Sequence, residues 1–135
     1  MRFMIIVKAT AESEAGVMPE QRIFDAMADY HQQLQKAGVL LDASGLQPSA
    51  KGWRIKYAGG TRTVVDGPFA ETKELIAGYT LIRVRSREEA LEWARRFPNP
   101  TDADGEIEVR QIYELDDFQP SEAVRRFRDI VGHLE

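Results

Sequence analysis

Apolar positions along the 135-residue chain fall into short blocks with two distinct periods. Arg2–Lys8 (RFMIIVK) is apolar at nearly every position, which predicts a strand covered on both faces. Thr10 to Met18 is polar and turn-prone, and Pro19 then suits a first helical turn. Ile23, Met27, Tyr30, Leu34 and Ala37 recur at gaps of four, three, four and three, a single helical stripe closed by Gly38. Val39–Ala43 predicts a second strand. Trp53–Tyr57 and Thr61–Val65, joined by Ala58-Gly59-Gly60, predict a hairpin. In its first arm Trp53, Ile55 and Tyr57 alternate with Arg54 and Lys56, so one face is apolar and the other wet.

Ile76–Val84 predicts a further strand. Ser86 and Glu89 then have capping-box spacing ahead of a helix lined by Ala90, Trp93, Ala94 and Phe97 and stopped by Pro98. Glu106–Leu115 alternates as a last strand that Ile112 interrupts. Pro120 opens a terminal helix with Val124, Phe127, Val131 and Leu134 on one side. With the hairpin set aside the order is β-α-β-β-α-β, a ferredoxin-like α+β plan with a hairpin insertion and an extra C-terminal helix. The expectation is one domain over residues 1–135, with a core at about 2–115 and the terminal helix at about 120–134. Two helices cover one face of such a sheet and leave the other bare. Its apolar content predicts a homodimer, or else the terminal helix folded over its own sheet.

Charge and composition narrow the function. Eighteen Lys and Arg against 22 Asp and Glu leave a net −4, which argues against nucleic acid as a partner. The chain has no cysteine, hence no disulfide, thiolate nucleophile or cysteine-based metal site. The apolar run Phe3–Val7 is too short for a signal-peptide core or a membrane span, so no membrane partner and a cytoplasmic location are expected. Gly59-Gly60 lacks the rest of a phosphate-binding loop, and no His-Glu-x-x-His occurs. No metal or organic cofactor is expected.

His31 and His133 lie more than 100 positions apart, and His133 sits beside a chain end. His31 follows Tyr30 at the margin of the first helix's stripe. It reads either as a hydrogen-bonded core residue or as a general acid or base at a pocket floor. The second role needs a carboxylate partner, for which Asp66 is the first candidate and Asp42 the next. Asp66-Gly67-Pro68-Phe69 forms a compact turn: the aspartate caps backbone N–H groups, Gly67 takes a backbone angle reserved for glycine, and Phe69 anchors by burial. Phe69, Glu71, Lys73 and Asp42 are candidate ligand contacts. Tyr79, like Trp53, is a candidate pocket wall. Arg83, Arg85 and Arg87 read as a solvated face or an anion contact.

Asp66–Glu74 (DGPFAETKE) followed by Ala77-Gly78-Tyr79 resembles the segment that names the DGPF family within the YCII-related proteins. Glu89–Ala94 and Gly105–Arg110 are similar to that family too, and the resemblance runs from Arg2 to about Leu115. It implies a dimeric α+β barrel of ferredoxin-like subunits with a histidine and an aspartate in a cleft. Matched by residue, the aspartate falls on Asp66 and the helix histidine on His31. It also implies a small-molecule enzyme, since relatives in the wider superfamily isomerise lactones or eliminate hydrogen halide. A cofactor-independent proton-transfer enzyme is thus one reading. A non-catalytic ligand-binding or regulatory dimer is the alternative, and a purely structural dimer the third. A buried His31 paired with a carboxylate in an open cavity favours the first; a cavity without that pair favours the second.

Overall fold

The computed structural model describes residues 1–135. In chain order its elements are β1 (Arg2–Lys8), α1 (Ala11–Glu14), α2 (Gln21–Lys36), β2 (Leu40–Gly45), β3 (Trp53–Ala58), β4 (Thr61–Asp66), β5 (Ile76–Arg83), α3 (Arg87–Arg95), β6 (Ile107–Gln111) and α4 (Glu122–Val131). Each long element follows from its local chemistry. In α2 the three most buried side chains, Ile23, Tyr30 and Leu34, share one stripe. Gly38, with φ +74°, closes that helix in a conformation a side chain resists. Ser86 caps α3 by accepting from the Glu89 N–H at 3.1 Å, and Ser121 caps α4 by accepting from Val124.

Four strands form one antiparallel sheet in the order β2-β5-β1-β6. The apolar β1 is central, flanked by β5 and β6. Its residues alternate rather than being equally covered: Phe3 and Ile5 are buried under the helices, while Met4 and Ile6 are half-buried on the outer face. The core joins Phe3, Ile5 and Ile82 of the sheet to Tyr30 and Leu34 from α2, with Val39, Val84, Ala90 and Phe97 around them. Ile5, Leu34 and Ile82 are fully buried at its centre. All of this lies on one side of the sheet.

The expected dimeric α+β barrel is overturned. The ferredoxin-like description with a hairpin insertion gives way to an α+β fold with two sheets, one of four strands and one of two, and neither closes into a barrel. The physical reason is strand pairing. β3 and β4 pair only with each other, and β2 and β6 stand as the free edges of the larger sheet. The three main helices are α2, α3 and α4.

Element ends also differ from the pattern read along the chain. The polar stretch after Thr10 contains α1, nucleated by a reciprocal cap in which the Thr10 side chain accepts from the Ser13 N–H and Ser13 Oγ accepts from the Thr10 N–H. β2 runs on to Gly45 because Ser44 and Gly45 pair with Tyr79 and Gly78. β6 stops at Gln111 rather than Leu115. Beyond it the chain turns through Leu115–Asp117, where the Asp117 carboxylate accepts from the Glu114 N–H. The terminal helix does not fold over the sheet. Only its end is tied there, through the Leu134 carbonyl, which accepts from Arg83 at 3.0 Å and from Arg2 at 3.4 Å. Arg2 itself grips Glu114 through two nitrogens at 3.0 Å each. That guanidinium holds the Glu114 carboxyl below the usual carboxylate range.

Tyr30 makes the core sensitive to alkali. Its hydroxyl donates to the Trp93 carbonyl at 2.7 Å, and burial pushes its pKa from 10.0 to about 12 against the opposing pull of Arg96. A raised folded-state value means stability that is complete below the unfolded value and is lost as pH climbs through the folded one. Denaturant unfolding across pH 9 to 12 should therefore show a loss beginning near 10.0 and continuing to about 12. The same series in Tyr30→Phe should lack that component, and an equal loss in both proteins would assign it elsewhere.

Candidate functional site

The geometry around His31 is set by two periodicities. On α2, His31 follows the buried Tyr30 and so lies at the edge of the packed stripe, half-buried. On β5, alternation turns Gly78, Thr80 and Ile82 toward the helices and Tyr79 and Leu81 away. His31 Nδ1 lies 2.7 Å from the Met27 carbonyl and Nε2 lies 2.8 Å from Thr80 Oγ1. A carbonyl only accepts, so Nδ1 carries the proton, and in the neutral ring Nε2 accepts from the Thr80 hydroxyl. The ring also packs edge-on against Tyr30 and Phe97, with centroids 5.5 and 6.0 Å away. Thr80 is 2% exposed. Beside the ring opens a depression of about 420 Å³ lined by Ala28, Asp29, His31, Gln32, Gln35 and Leu40. Asp29 is its one charged residue.

Neither candidate carboxylate meets His31. Asp66 ends β4 in the two-stranded sheet, exposed, opposite Trp53. Both ring nitrogens of His31 are bonded elsewhere. Asp42 lies opposite Leu81, on the outer face, where its carboxylate accepts from the Tyr79 hydroxyl at 3.0 Å and from the Ala43 N–H at 2.8 Å. The sheet therefore stands between the Asp42–Tyr79 pair and the histidine. Glu71 and Lys73 are exposed around the short turn Thr72–Glu74 that leads into β5. No group of three or more His, Cys, Asp or Glu side chains is placed to hold a metal ion.

The Asp66–Phe69 turn is built differently from the expectation. Gly67 is absent from the glycines of positive φ, which are Gly16, Gly38, Gly59 and Gly60. Glycine is needed there because a Cβ would stand 1.8 Å from the Ser49 carbonyl oxygen and 2.7 Å from its carbon. The turn is pressed against the segment Ser49–Lys51, and Gly67 N–H donates to the Gly52 carbonyl at 3.0 Å. Ser49 Oγ accepts from the Phe69 N–H at 3.1 Å and donates to Glu14, whose other oxygen accepts from the Ser49 N–H at 3.0 Å. The Arg54 guanidinium lies 3.8 Å above the Phe69 ring. Phe69 is thus an anchor of the turn.

Three residues central to this geometry escaped the reading of the sequence. Thr80 is a polar residue on the buried face of an apolar strand, and that period-two position is the signal that could have marked it. Glu14 and Ser49 carry no such signal, since they meet only through the fold across 35 positions.

The class defined by this geometry is a two-sheet α+β protein whose one helix histidine is bonded to a buried strand threonine beside an open polar depression. The YCII-related domain family model matches residues 1–116, and the chain belongs to that family. It is 33% identical over 93 residues to an uncharacterized protein of Rhizobium meliloti (strain 1021), covering 69% of this chain and 75% of that one.

Because the Gly67 Cβ position is occupied by backbone, Gly67→Ala should cost at least about 1–3 kcal/mol in urea denaturation, the range for overpacking. Ser49→Ala strips the Phe69 N–H and Glu14 of a shared partner and should cost about 1–3 kcal/mol. A near-neutral Gly67→Ala would mean that Ser49 moves aside freely.

Proposed function

We propose that this YCII-family protein is a small-ligand-binding module acting in the cytoplasm, with the depression beside His31 as its binding site. The observation that carries this reading is the double engagement of the His31 ring. A general base needs a free lone pair aimed at substrate, and here Nε2 is taken by the Thr80 hydroxyl while Nδ1–H is held by Met27. The ring is also without the carboxylate that would stabilise its charged form. What faces solvent is a set of hydrogen-bonding groups, the Gln32 and Gln35 amides and the Asp29 carboxylate, with Ala28 and Leu40 as the apolar part of the lining. That lining suits a small polar ligand that is neutral or cationic and rich in donors. The proton-transfer reading stays attached to one specific feature. Rotation of the Thr80 hydroxyl off Nε2 would free the base, so His31 and Thr80 are the pair on which such chemistry would rest.

We also infer a homodimer. On the outer face of the larger sheet Met4 pairs with Leu81 and Ile6 with Tyr79, a half-buried apolar strip with no helix above it. Lys8 and Arg110 share Glu108 on one side, at 3.6 and 3.2 Å, and Asp42 stands on the other. Charges at the rim and apolar groups at the centre are the anatomy of an interface. No helix is long and apolar enough to cross a membrane.

Amide NMR titration with a mixture of small amides, ureas and amidines should move the signals of Asp29, Gln32, Gln35 and the His31 ring together. Asp29→Asn should weaken the cationic members selectively. Turnover of any such compound that disappears in both His31→Gln and Thr80→Val would reverse the proposal in favour of catalysis. Sedimentation equilibrium at micromolar concentration should give a species of twice 15.3 kDa, and a single 15.3 kDa species would remove the dimer.

A further inference from the structure

Besides the outer face of the sheet, two further apolar surfaces of this chain have no partner within it. On the hairpin, Ile55 pairs with Val64, and Trp53 and Tyr57 share their face; Trp53 is 64% exposed and Tyr57 70%. A two-stranded ribbon is marginal in water without something packed on its apolar side. On α4, Phe127 and Ile130, with Leu134 just beyond, stay 53–64% exposed. The helix has ten residues, fewer than the roughly 12–15 that an isolated helix needs to persist in water. Its main packing is against the turns that flank it.

These surfaces sit at opposite ends of the four-stranded sheet. The segments flanking the hairpin are tied to the start of β5, where Leu46 N–H donates to the Ala77 carbonyl at 2.8 Å. The turn after α4 is tied to the finish of the same strand through Arg83 and the Leu134 carbonyl. The eight residues of β5 separate the two ends by about 26 Å at ~3.3 Å per residue. Within one chain the helix does not reach the hairpin. Two copies placed outer face to outer face, about a two-fold axis crossing the strands, bring each end over the other end of the partner.

We propose that the α4 stripe of one copy docks on the Trp53–Ile55–Tyr57–Val64 face of a second copy, and reciprocally. This rests on the homodimer reading and extends it. Seven side chains at roughly 100 Å² of exposed surface each amount to about 700 Å² per copy, given the 150–250 Å² that a large aromatic can bury. The pair then buries about 1,400 Å², within the ~1,200–2,000 Å² of stable interfaces. Charge agrees as well. The hairpin face carries Asp66 opposite Trp53 and Arg62 opposite Tyr57, so Arg126, one turn from Ile130 beside the stripe, is matched at the Trp53 end, where neither it nor Asp66 has an ion-pair partner in its own chain.

The test compares the dimer dissociation constant of wild type, Ile130→Ser, Ile55→Ser and the double variant by sedimentation, with circular dichroism to confirm folding. Each single change should weaken the dimer at least about tenfold, and the double variant should fall short of the product of the two, as touching residues do. An unchanged constant in both singles overturns the exchange and leaves the homodimer standing; a monomeric wild type overturns both. Because the chain has no cysteine, Val64→Cys combined with Ile130→Cys can be oxidised without interference. A covalent dimer, formed also on mixing the two single variants, supports exchange. A covalent monomer means that the helix docks on its own hairpin, which overturns it.

Discussion

The seam where Tyr30 and Leu34 of α2 settle onto Ile5 and Ile82 organises the rest of the molecule. Leu34, Ile5 and Ile82 are fully buried, and they hold the helix in one rotational setting over the sheet. With Tyr30 inserted, bonded to the Trp93 carbonyl and edge-on to Phe97, its neighbour His31 has only one direction left. The ring reaches down to Thr80, two residues before Ile82 on the same face of the same strand. The position of His31 is thus a by-product of core packing.

The same sheet divides the protein into two chemistries. Thr80 and Tyr79 are adjacent in sequence, yet alternation sends one to the histidine and the other to Asp42 on the far side. The helix side carries a polar depression beside an imidazole whose two ring nitrogens are both engaged, by the Met27 carbonyl and the Thr80 hydroxyl. The outer side carries apolar residues ringed by charge, which favours association. The ligand site and the dimer face proposed above would therefore lie on opposite sides of the sheet, open to separate alteration.

The Asp66–Phe69 turn belongs to neither face. It is a structural clasp whose N–H groups end on Gly52 and Ser49, with Glu14 behind them. Close approach of two backbones explains its glycine, and the Arg54 guanidinium over the Phe69 ring seals its outer surface. Its part in the fold is to connect the hairpin to the body, so that a ribbon of two strands is held at one defined place.

Local chemistry determined much of this protein directly. The stripe from Ile23 to Leu34, the Ser86 cap, the hairpin glycines Gly59 and Gly60, and the apolar blocks at β1 and β5 each encode their element through short-range sterics and periodicity. His31 was visible as a residue at a stripe's margin. Its partner was not, because Asp66, Asp42 and Thr80 are all distant in sequence, and only strand pairing and pleat direction decide which shares a face with the histidine. The barrel failed for a related reason: apolar content announces that a face needs covering but not which strands join at an edge. The need for glycine at position 67 was legible, while its cause was a carbonyl 18 positions away, brought there by the fold. Propensity acts over a few residues; contacts between distant segments are settled by packing the whole chain at once.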